Sequence, residues 1–478
     1  MKPRVVLAYL ISLLAALGLI LGVLQLGQGL APPPAAGVLP APAADAVQSW
    51  LQGLRAQLDH PLSHLLVQLL VVIAGARSLG ALFRRLGQQA VVGEMAAGIL
   101  LGPSLFGWLA PAGFAFVFPA ESLGSLKLLS QLGVCLFMFV VGMELDLGQL
   151  RRKAGVAVAV SHASIVLPYT LGVLLAYGLY SQLAAPGARF SAFALFMGIS
   201  MSITAFPVLA RILQERGLAQ SPLGQTALTC AAVDDVTAWS LMAFVVAVAQ
   251  AGSLAGAGLN LLLVAGFIAL MLMGVRPLLA RVIGPAALQR PEPSQGSLAA
   301  IVCLVVGAAL CTELIGIHAL FGAFLAGVVV PAAQGFRRKI GLQVENLSAV
   351  LLLPLFFAFT GLRTQIGLLE GAGDWLLCAL IVAVATLGKL GGSALAARLG
   401  GLAWREALQL GALMNTRGLM ELIALNVGYD LGILSPRIFT MLVLMALITT
   451  MLTGPLLGLF ARLPAPRHPP AQGVKGLP

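Results

Sequence analysis

The sequence predicts an all-α polytopic membrane protein. Two inverted six-helix repeats are joined by a linker helix, with two discontinuous crossing helices and one extra N-terminal helix. Three observations carry this expectation. Of 478 residues, 59% are hydrophobic and only 9% charged, whereas a soluble domain carries roughly 25% charged residues. Apolar runs near the ~20 residues that a bilayer crossing needs recur along the chain. Motifs of the first half return in the same order in the second. Little polar sequence remains for a soluble catalytic domain, so a transporter is expected rather than an enzyme. The net charge of +11 is read as basic inner loops, with no nucleic-acid partner.

Residues 1–30 begin "MKPR" and continue into an apolar run over 5–26. That run exceeds the 7–15 residues of an ordinary signal-peptide core, so it is read as an uncleaved transmembrane helix or signal anchor. Residues 31–61 form a Pro/Ala-rich external linker, too dense in proline for a helix over 31–44. Thirteen core spans follow within 62–462: 62–83, 90–107, 123–143, 154–180, 191–213, 222–250, 259–283, 297–317, 318–334, 347–368, 374–398, 405–428 and 435–462. Residues 463–478 are a short cytoplasmic tail. With Met1 inside and alternating spans, the clusters at 151–153 and 337–339 and most other Lys and Arg fall on the inner side. Only Arg55, Lys127, Arg189 and Arg437 fall outside, as the positive-inside rule requires.

The core divides as six, one and six: repeat one over 62–250, a linker helix over 259–283 and repeat two over 297–462. "GEMAAGILLGP" (93–103) resembles "GAFLAGVVVP" (322–331), and "LFMFVVGME" (136–144) resembles "LFFAFTGLR" (355–363). One intervening span makes the halves enter the membrane from opposite sides, a recurring build of secondary transporters. The fifth span of each half is interrupted. The first reads "GISMSITAFPVLAR" (198–211) and the second "GALMNTRGLMELIALNVG" (411–428). Proline removes a backbone donor and glycine loosens a helix. Unwound backbone is tolerated at membrane depth only where it is buried or lines a cavity, so matched breaks mark an ion site.

"TCAAVDDVTAW" (229–239) places Asp234 and Asp235 inside an apolar span. Each intramembrane charge costs about 2.5–3.5 kcal/mol or more. Neighbouring helix positions point about 100° apart, so one aspartate faces the ion pathway while the other meets a fixed charge. Lys389, in "TLGKLGGSA", is the expected counter-charge. A carboxylate taken out of water can hold a proton or a hard monovalent cation, and the two compete. Asp235, Asp234 and Thr204 are the candidate ion- and proton-binding residues, and freed backbone carbonyls supply further oxygens for that transient cation. Arg417 and Glu421, four apart on one helix, are expected to pair and to stabilise the helix crossing. Glu94 is placed near the inner entry, Glu313 and His318 near the outer mouth, and Glu144 and Asp146 at a solvated span end. The cysteines Cys135, Cys230, Cys303, Cys311 and Cys378 all lie in apolar runs without ligand spacing. They are read as buried thiols, and no cofactor is expected.

In combination, "VVGEMAAGILLGPS", "LFMFVVGMELDL", "SITAFPVLARIL", "AAVDDVTAW", "GIHALFGAFLAGVVVP", "LPLFFAFTGLRT" and "NTRGLMELIALNVG" resemble the cation:proton antiporter-2 family. The resemblance is to its plant-type cation/H+ exchanger branch and bacterial relatives, and it covers 62–462. It implies a thirteen-helix core, a homodimer, and a dimerisation domain against which a core domain moves like an elevator. Asp235 matches the family's cation- and proton-binding carboxylate. Asp234 stands where electrogenic bacterial members have Asp and the plant branch has Asn. Lys389 matches the lysine paired with that Asp in electrogenic members. About sixteen residues follow Arg462, so no large regulatory domain is expected after it.

The resulting expectation is a secondary antiporter that exchanges Na+ or K+ for H+ across a lipid bilayer, electrogenically, with both ions competing at Asp235. A bacterial inner membrane is the expected location. The alternative is a gated cation efflux channel, but no filter motif of carbonyl or charge rings is present. An intramembrane aspartyl protease needs two carboxylates facing one water, and adjacent helical aspartates diverge.

Overall fold

The computed structural model describes residues 61–144, 154–250, 254–284, 293–316, 318–331 and 335–464, with a few isolated positions before residue 61. The chain divides into two units, Met1–His60 and Pro61–Pro478. The N-terminal span, most of the Pro/Ala-rich linker, Asp146, the 151–153 cluster and nearly all of the 463–478 tail lie outside the described residues.

The described residues of the second unit are helical almost throughout. Besides the short helices Phe106–Leu109 and Pro111–Val117, its helices are α1 Pro61–Arg85, α2 Ala90–Leu101, α3 Leu123–Glu144, α4 Ala154–Leu183, α5 Phe190–Ser202 and α6 Phe206–Glu215. Next come α7 Pro222–Gln250, α8 Leu254–Ala269, α9 Arg276–Ile283, α10 Gln295–Ile315, α11 Ala319–Val329, α12 Phe336–Leu347 and α13 Leu353–Arg363. The last are α14 Ala372–Leu399, α15 Trp404–Met414, α16 Leu419–Asp430 and α17 Pro436–Ala461. Among the described residues, eleven helices are long and apolar enough to cross a membrane, and α11 is a shorter apolar helix. With the interrupted pair α15–α16, these account for every core span read from the sequence.

Boundaries shift at several ends. The span expected over 259–283 starts earlier, at Leu254, and runs through a π-helical stretch, Leu270–Val275, into α9. Of the span expected over 318–334, Ala319–Val329 is helical, and residues 332–334 lie outside the described residues. One reading is corrected: Cys303 and Cys311 are exposed, while Cys135, Cys230 and Cys378 are buried. Both exposed thiols lie on α10, only 22% of which is buried within the protein. An apolar run does not tell a lipid-facing position from a core one, because hydrocarbon and core are equally apolar.

Burial separates central spans from peripheral ones. The interrupted span Phe190–Glu215 is 83% buried and Pro61–Arg85 only 22%. The helices pack in two groups. One contains α4 to α7 and α14 to α17; the other contains α1 to α3 and α10 to α13. The second group is joined backbone to backbone at glycines. A Cβ at Gly98 on α2 would lie 2.1 Å from Phe357 O on α13, and one at Gly361 1.9 Å from Gly98 C. Likewise, a Cβ at Gly142 on α3 would lie 2.0 Å from Phe324 O on α11, and one at Gly327 2.1 Å from Phe139 O. The same relation recurs one helix out: Gly93 meets Leu79 O on α1, and Gly322 meets Ala308 O on α10. No side chain fits at any of these crossings.

Candidate ion site at two meeting helix breaks

α5 ends at Ser202, followed by extended backbone at Ile203. α6 restarts at Phe206 with Pro207 in its first turn, where a missing N–H leaves nothing unsatisfied. α15 ends at Met414 and α16 begins after Gly418. The two gaps touch: Ala205 N donates to Thr416 O at 3.1 Å.

A helix C-terminus leaves carbonyls without intrahelical donors and carries partial negative charge. At the C-terminus of α5, two buried cations meet those carbonyls. Arg417 donates from Nη1 to Ser200 O and from Nη2 to Met201 O, each at 2.6 Å. Lys389, on α14, donates to Ser202 O and, at 3.2 Å, to Ser164 O on α4. Each cation has its own acid. Arg417 lies 3.3 Å from Glu421, and Lys389 lies 3.1 Å from Asp234 Oδ2, all four side chains fully buried. Burying charge is tolerable only with such pairing and hydrogen bonding.

Asp234, on α7, is held from three directions. Ser161 Oγ donates to Oδ1 at 2.5 Å. Ser164 Oγ lies 3.0 and 2.9 Å from the two carboxylate oxygens. Thr204 Oγ1, inside the first break, donates to Oδ2 at 2.6 Å and lies 3.0 Å from Met414 O. Asp235 is 1% exposed and follows Asp234 on α7, turned about 100° around the axis. The second break is stitched to α17: Thr450 Oγ1 accepts from Arg417 N at 3.0 Å and donates to Arg417 O at 2.9 Å. Asn415 is fully buried, and its side-chain amide has no hydrogen-bond partner among the described residues.

The structure therefore brings Asp234, Thr204 and Lys389 into one hydrogen-bonded cluster. Arg417 and Glu421 form a second cluster on the same helix end. The sequence reading missed Ser161, Ser164, Asn415 and Thr450 as site residues. The only signal for the serines is "SHAS" (161–164), two hydroxyls three residues apart and so on one face of an apolar helix.

A cavity of about 390 Å3 leads toward the breaks from one end. Arg77, Glu94, Phe137 and Phe357 line one side of it, and Val208, Arg211 and Leu419 the other. Glu94 is buried and lies 3.9 Å from Arg77. At the opposite end the same helices are tied together. Arg363, on α13, reaches Asp430 at 2.6 Å and Asn426 at 2.9 Å, both on α16. Lys127, on α3, lies 3.4 Å from Asp430. Voids of about 10 and 30 Å3 lie there, and His318 lines both. Trp239, one turn beyond Asp235, stacks on Phe324 at 6.0 Å between centroids. Glu313 Oε2 accepts from Ala319 N at 2.8 Å, which ties it to the start of α11.

Two broken helices meeting over buried carboxylates and their counter-cations define a multi-pass integral membrane protein of the broken-helix class. The chain belongs to the sodium/hydrogen exchanger family, whose transmembrane region matches residues 69–463. It is 44% identical over 405 residues to the Na(+)/H(+) antiporter NhaS4 of Synechocystis sp., across 84% of this chain and 98% of that one. Cation/H(+) antiporter 17 of Arabidopsis thaliana is 40% identical over 403 residues, across 84% of this chain and 48% of its own length. K(+)/H(+) antiporter 1 of Saccharomyces cerevisiae is 34% identical over 403 residues, across 83% and 46%. The chain thus spans nearly all of the cyanobacterial relative and about half of the plant and yeast ones. The solved structure of the sodium proton antiporter MjNhaP1 from Methanocaldococcus jannaschii shares the fold. Its TM-score is 0.58 at 13% identity, over 84% of this chain and 98% of that one.

Proposed function

We propose that the protein is a secondary antiporter that exchanges Na+ or K+ for protons, not a channel and not an enzyme. One observation carries the reading: the two helix breaks touch at Ala205 and Thr416 beside the buried Asp234–Lys389 pair. A channel conducts through a continuous pathway. Here the cavity on one side ends at the breaks, while the other side carries ion pairs beside voids of about 10 and 30 Å3. Family membership and the names of the relatives support antiport.

In this reading Asp235 is the exchanging carboxylate, taking a proton or a cation in turn. Thr204, Asn415 and the carbonyls at the breaks are the other candidate cation ligands. Asp234 is the fixed anion for Lys389, and Arg417 and Glu421 hold the breaks together. The cycle releases one proton from Asp235 and one from Lys389 for each cation bound, so one net charge moves. Against 100 mV that charge is worth about 2.3 kcal/mol, and each pH unit contributes about 1.36 kcal/mol per proton.

The two-repeat architecture is also a proposal. Its support is the glycine contacts, in which the motif equivalents Gly98 and Gly327 meet Gly361 and Gly142. Homodimeric assembly and an inner-membrane location with the Arg211 face inward complete the reading.

The test uses purified protein in liposomes with a pH-sensitive dye. Addition of Na+ or K+ should release protons, and collapsing the potential with an ionophore should change the rate. Lys389→Gln should lose the potential dependence. Cation flux without proton release would favour the channel. Exchange indifferent to potential in the wild type would mean one proton per cation, with Lys389 only locking two helices.

A further inference from the structure

α12 is too short to cross a membrane. Its 12 residues extend about 18 Å at 1.5 Å per residue, against about 30 Å of hydrocarbon. Arg337 sets its depth. Nε donates to Val330 O at 3.0 Å and Nη2 to Val328 O at 2.9 Å, both at the end of α11. Nη1 donates to Met143 O, in the last turn of α3, at 3.0 Å. The last carbonyls of a helix lack intrahelical donors, so one guanidinium caps two helices at once. The first turn of α12 is thereby fixed at the level where the spanning helix α3 ends, beside the cavity that Val140 and Val141 line.

The two faces of α12 differ. Phe336 and Ile340, four apart, are buried against the protein. Arg338 and Leu342, also four apart and so on one face, are exposed, Leu342 at 47%. Lys339 is half-buried beside them. The stretch "FRRKIGLQVENL" (336–347) carries three cations and one acid. A lone surface leucine is ordinary where a protein faces water. On a helix held at the end of a span, a leucine one turn from an arginine offers hydrocarbon contact beside a positive charge.

In the proposed two-repeat architecture, the counterpart of α12 is the connection from α2 to α3. Residues 106–117 there carry no charge, and Trp108, Leu109 and Phe116 are exposed at 74%, 64% and 46%. Exposed tryptophan is typical of a membrane–water boundary. The two connections thus share the character of surface-lying segments, and of the two α12 has the cations.

We propose that α12 docks on anionic phospholipid headgroups, with Arg338 at the phosphates, Lys339 adding charge and Leu342 in the acyl boundary, while Arg337 anchors the helix to the protein. The occupant is a lipid and not a soluble anion because cation and leucine share one exposed face, and a soluble phosphate would use the cation alone. Each cation near such a surface favours an anionic over a zwitterionic headgroup by about five-fold. Docking of this kind is independent of which ions are exchanged.

The test uses the full chain in phosphatidylcholine vesicles. Cys303→Ser and Cys311→Ser remove the exposed thiols, and Gln343→Cys, at an exposed position on α12, carries a fluorophore. Lipids brominated on the upper acyl chain are added as phosphatidylglycerol or as phosphatidylcholine at equal mole fraction. Quenching by the phosphatidylglycerol should be several-fold stronger. R338Q should bring the ratio below about two-fold, and R338K should keep it. Raised salt should reduce the ratio without R338Q, as screening requires, which covers the case in which R338Q fails to fold. Equal quenching by the two lipids overturns anionic docking. No quenching by either would mean that protein, a second copy included, covers α12, and overturns it as well. Loss of the preference on adding inorganic phosphate, matched in ionic strength with chloride, would make this a soluble-anion site and overturn the lipid as occupant.

Discussion

The two ends of one helical interface differ sharply. α3, α13 and α16 all run from one end to the other. Near Val140, Leu353 and Leu419 they border the 390 Å3 cavity. Near Lys127, Arg363 and Asp430 they are held by ion pairs. From Leu353 to Arg363 is only roughly 15 Å at 1.5 Å rise per residue. The same helices are therefore splayed at one end and closed at the other within a single turn or two of the site. In the proposed exchange cycle, a rigid rotation of one helix group against the other opens the closed end and closes the open one, and the ion pairs are then its latch. The latch is reinforced by stacking: the Arg363 guanidinium lies 4.3 Å from the Phe359 ring centroid and 5.0 Å from that of Tyr429.

The largest expected effect falls between the two ends. Asp235→Asn should abolish cation-driven proton release at either end, while thermal unfolding stays within a few degrees of wild type because the replacement is nearly isosteric. Substantial residual exchange would remove Asp235 from the mechanism.

Next comes the latch itself. Arg363→Gln removes two hydrogen bonds and two ring contacts, and charge-assisted bonds contribute about 1.5–3 kcal/mol each when buried, less here at the rim. Labelling of Ser130→Cys, beside the 30 Å3 void, by an impermeant thiol reagent from the Lys127 face should quicken by about ten-fold, the equivalent of 1.4 kcal/mol. Unchanged labelling would mean that the ion pairs do not hold that end shut.

At the open end, Glu94→Gln removes the buried carboxylate that lines the cavity with Arg77 and Arg211. Arg77 then loses its carboxylate at the cavity wall while Arg211 keeps Glu215 at 3.3 Å, and the more positive lining lowers the local cation concentration. The apparent KM for the cation should rise several-fold with kcat unchanged; a fall in kcat alone would place Glu94 in a conformational role instead. The smallest effect is expected from Lys127→Gln. Its side chain is 37% exposed, and exposed pairs contribute about 0.2–1 kcal/mol, so labelling at Ser130→Cys should change by no more than about five-fold.

Much of this was legible in the sequence, and unevenly. Spans stand out because a bilayer demands long apolar runs. Both helix breaks are visible because Pro207 and Gly418 sit among polar residues where a bilayer tolerates none exposed. Lys389 stands out as the one charge inside its span, but its distance to Asp234 came from the structure. Ser161 and Ser164 were not legible, since a hydroxyl in an apolar helix can satisfy itself on its own backbone. Arg363 and Asp430 read as ordinary charges at span ends, and only folding shows that 67 residues of separation close to 2.6 Å. The exposure of Cys303 and Cys311 was misread because nothing in composition distinguishes lipid from protein interior.

The glycine crossings have a consequence for how such a chain can change over generations. At Gly93, Gly98, Gly142, Gly322, Gly327 and Gly361 a single added methyl would meet backbone at 2.5 Å or less, and backbone cannot step aside as a side chain can. The crossings pair early residues with late ones, Gly98 with Gly361 and Gly142 with Gly327. A residue inserted into α2 therefore slides Gly98 out of register with a partner more than 250 positions away, and only a matching shift in α13 restores the fit. The lipid-facing sides of α1, α10 and α14 carry no such constraint and are free to drift. The two halves of the chain must accordingly inherit length changes together or not at all.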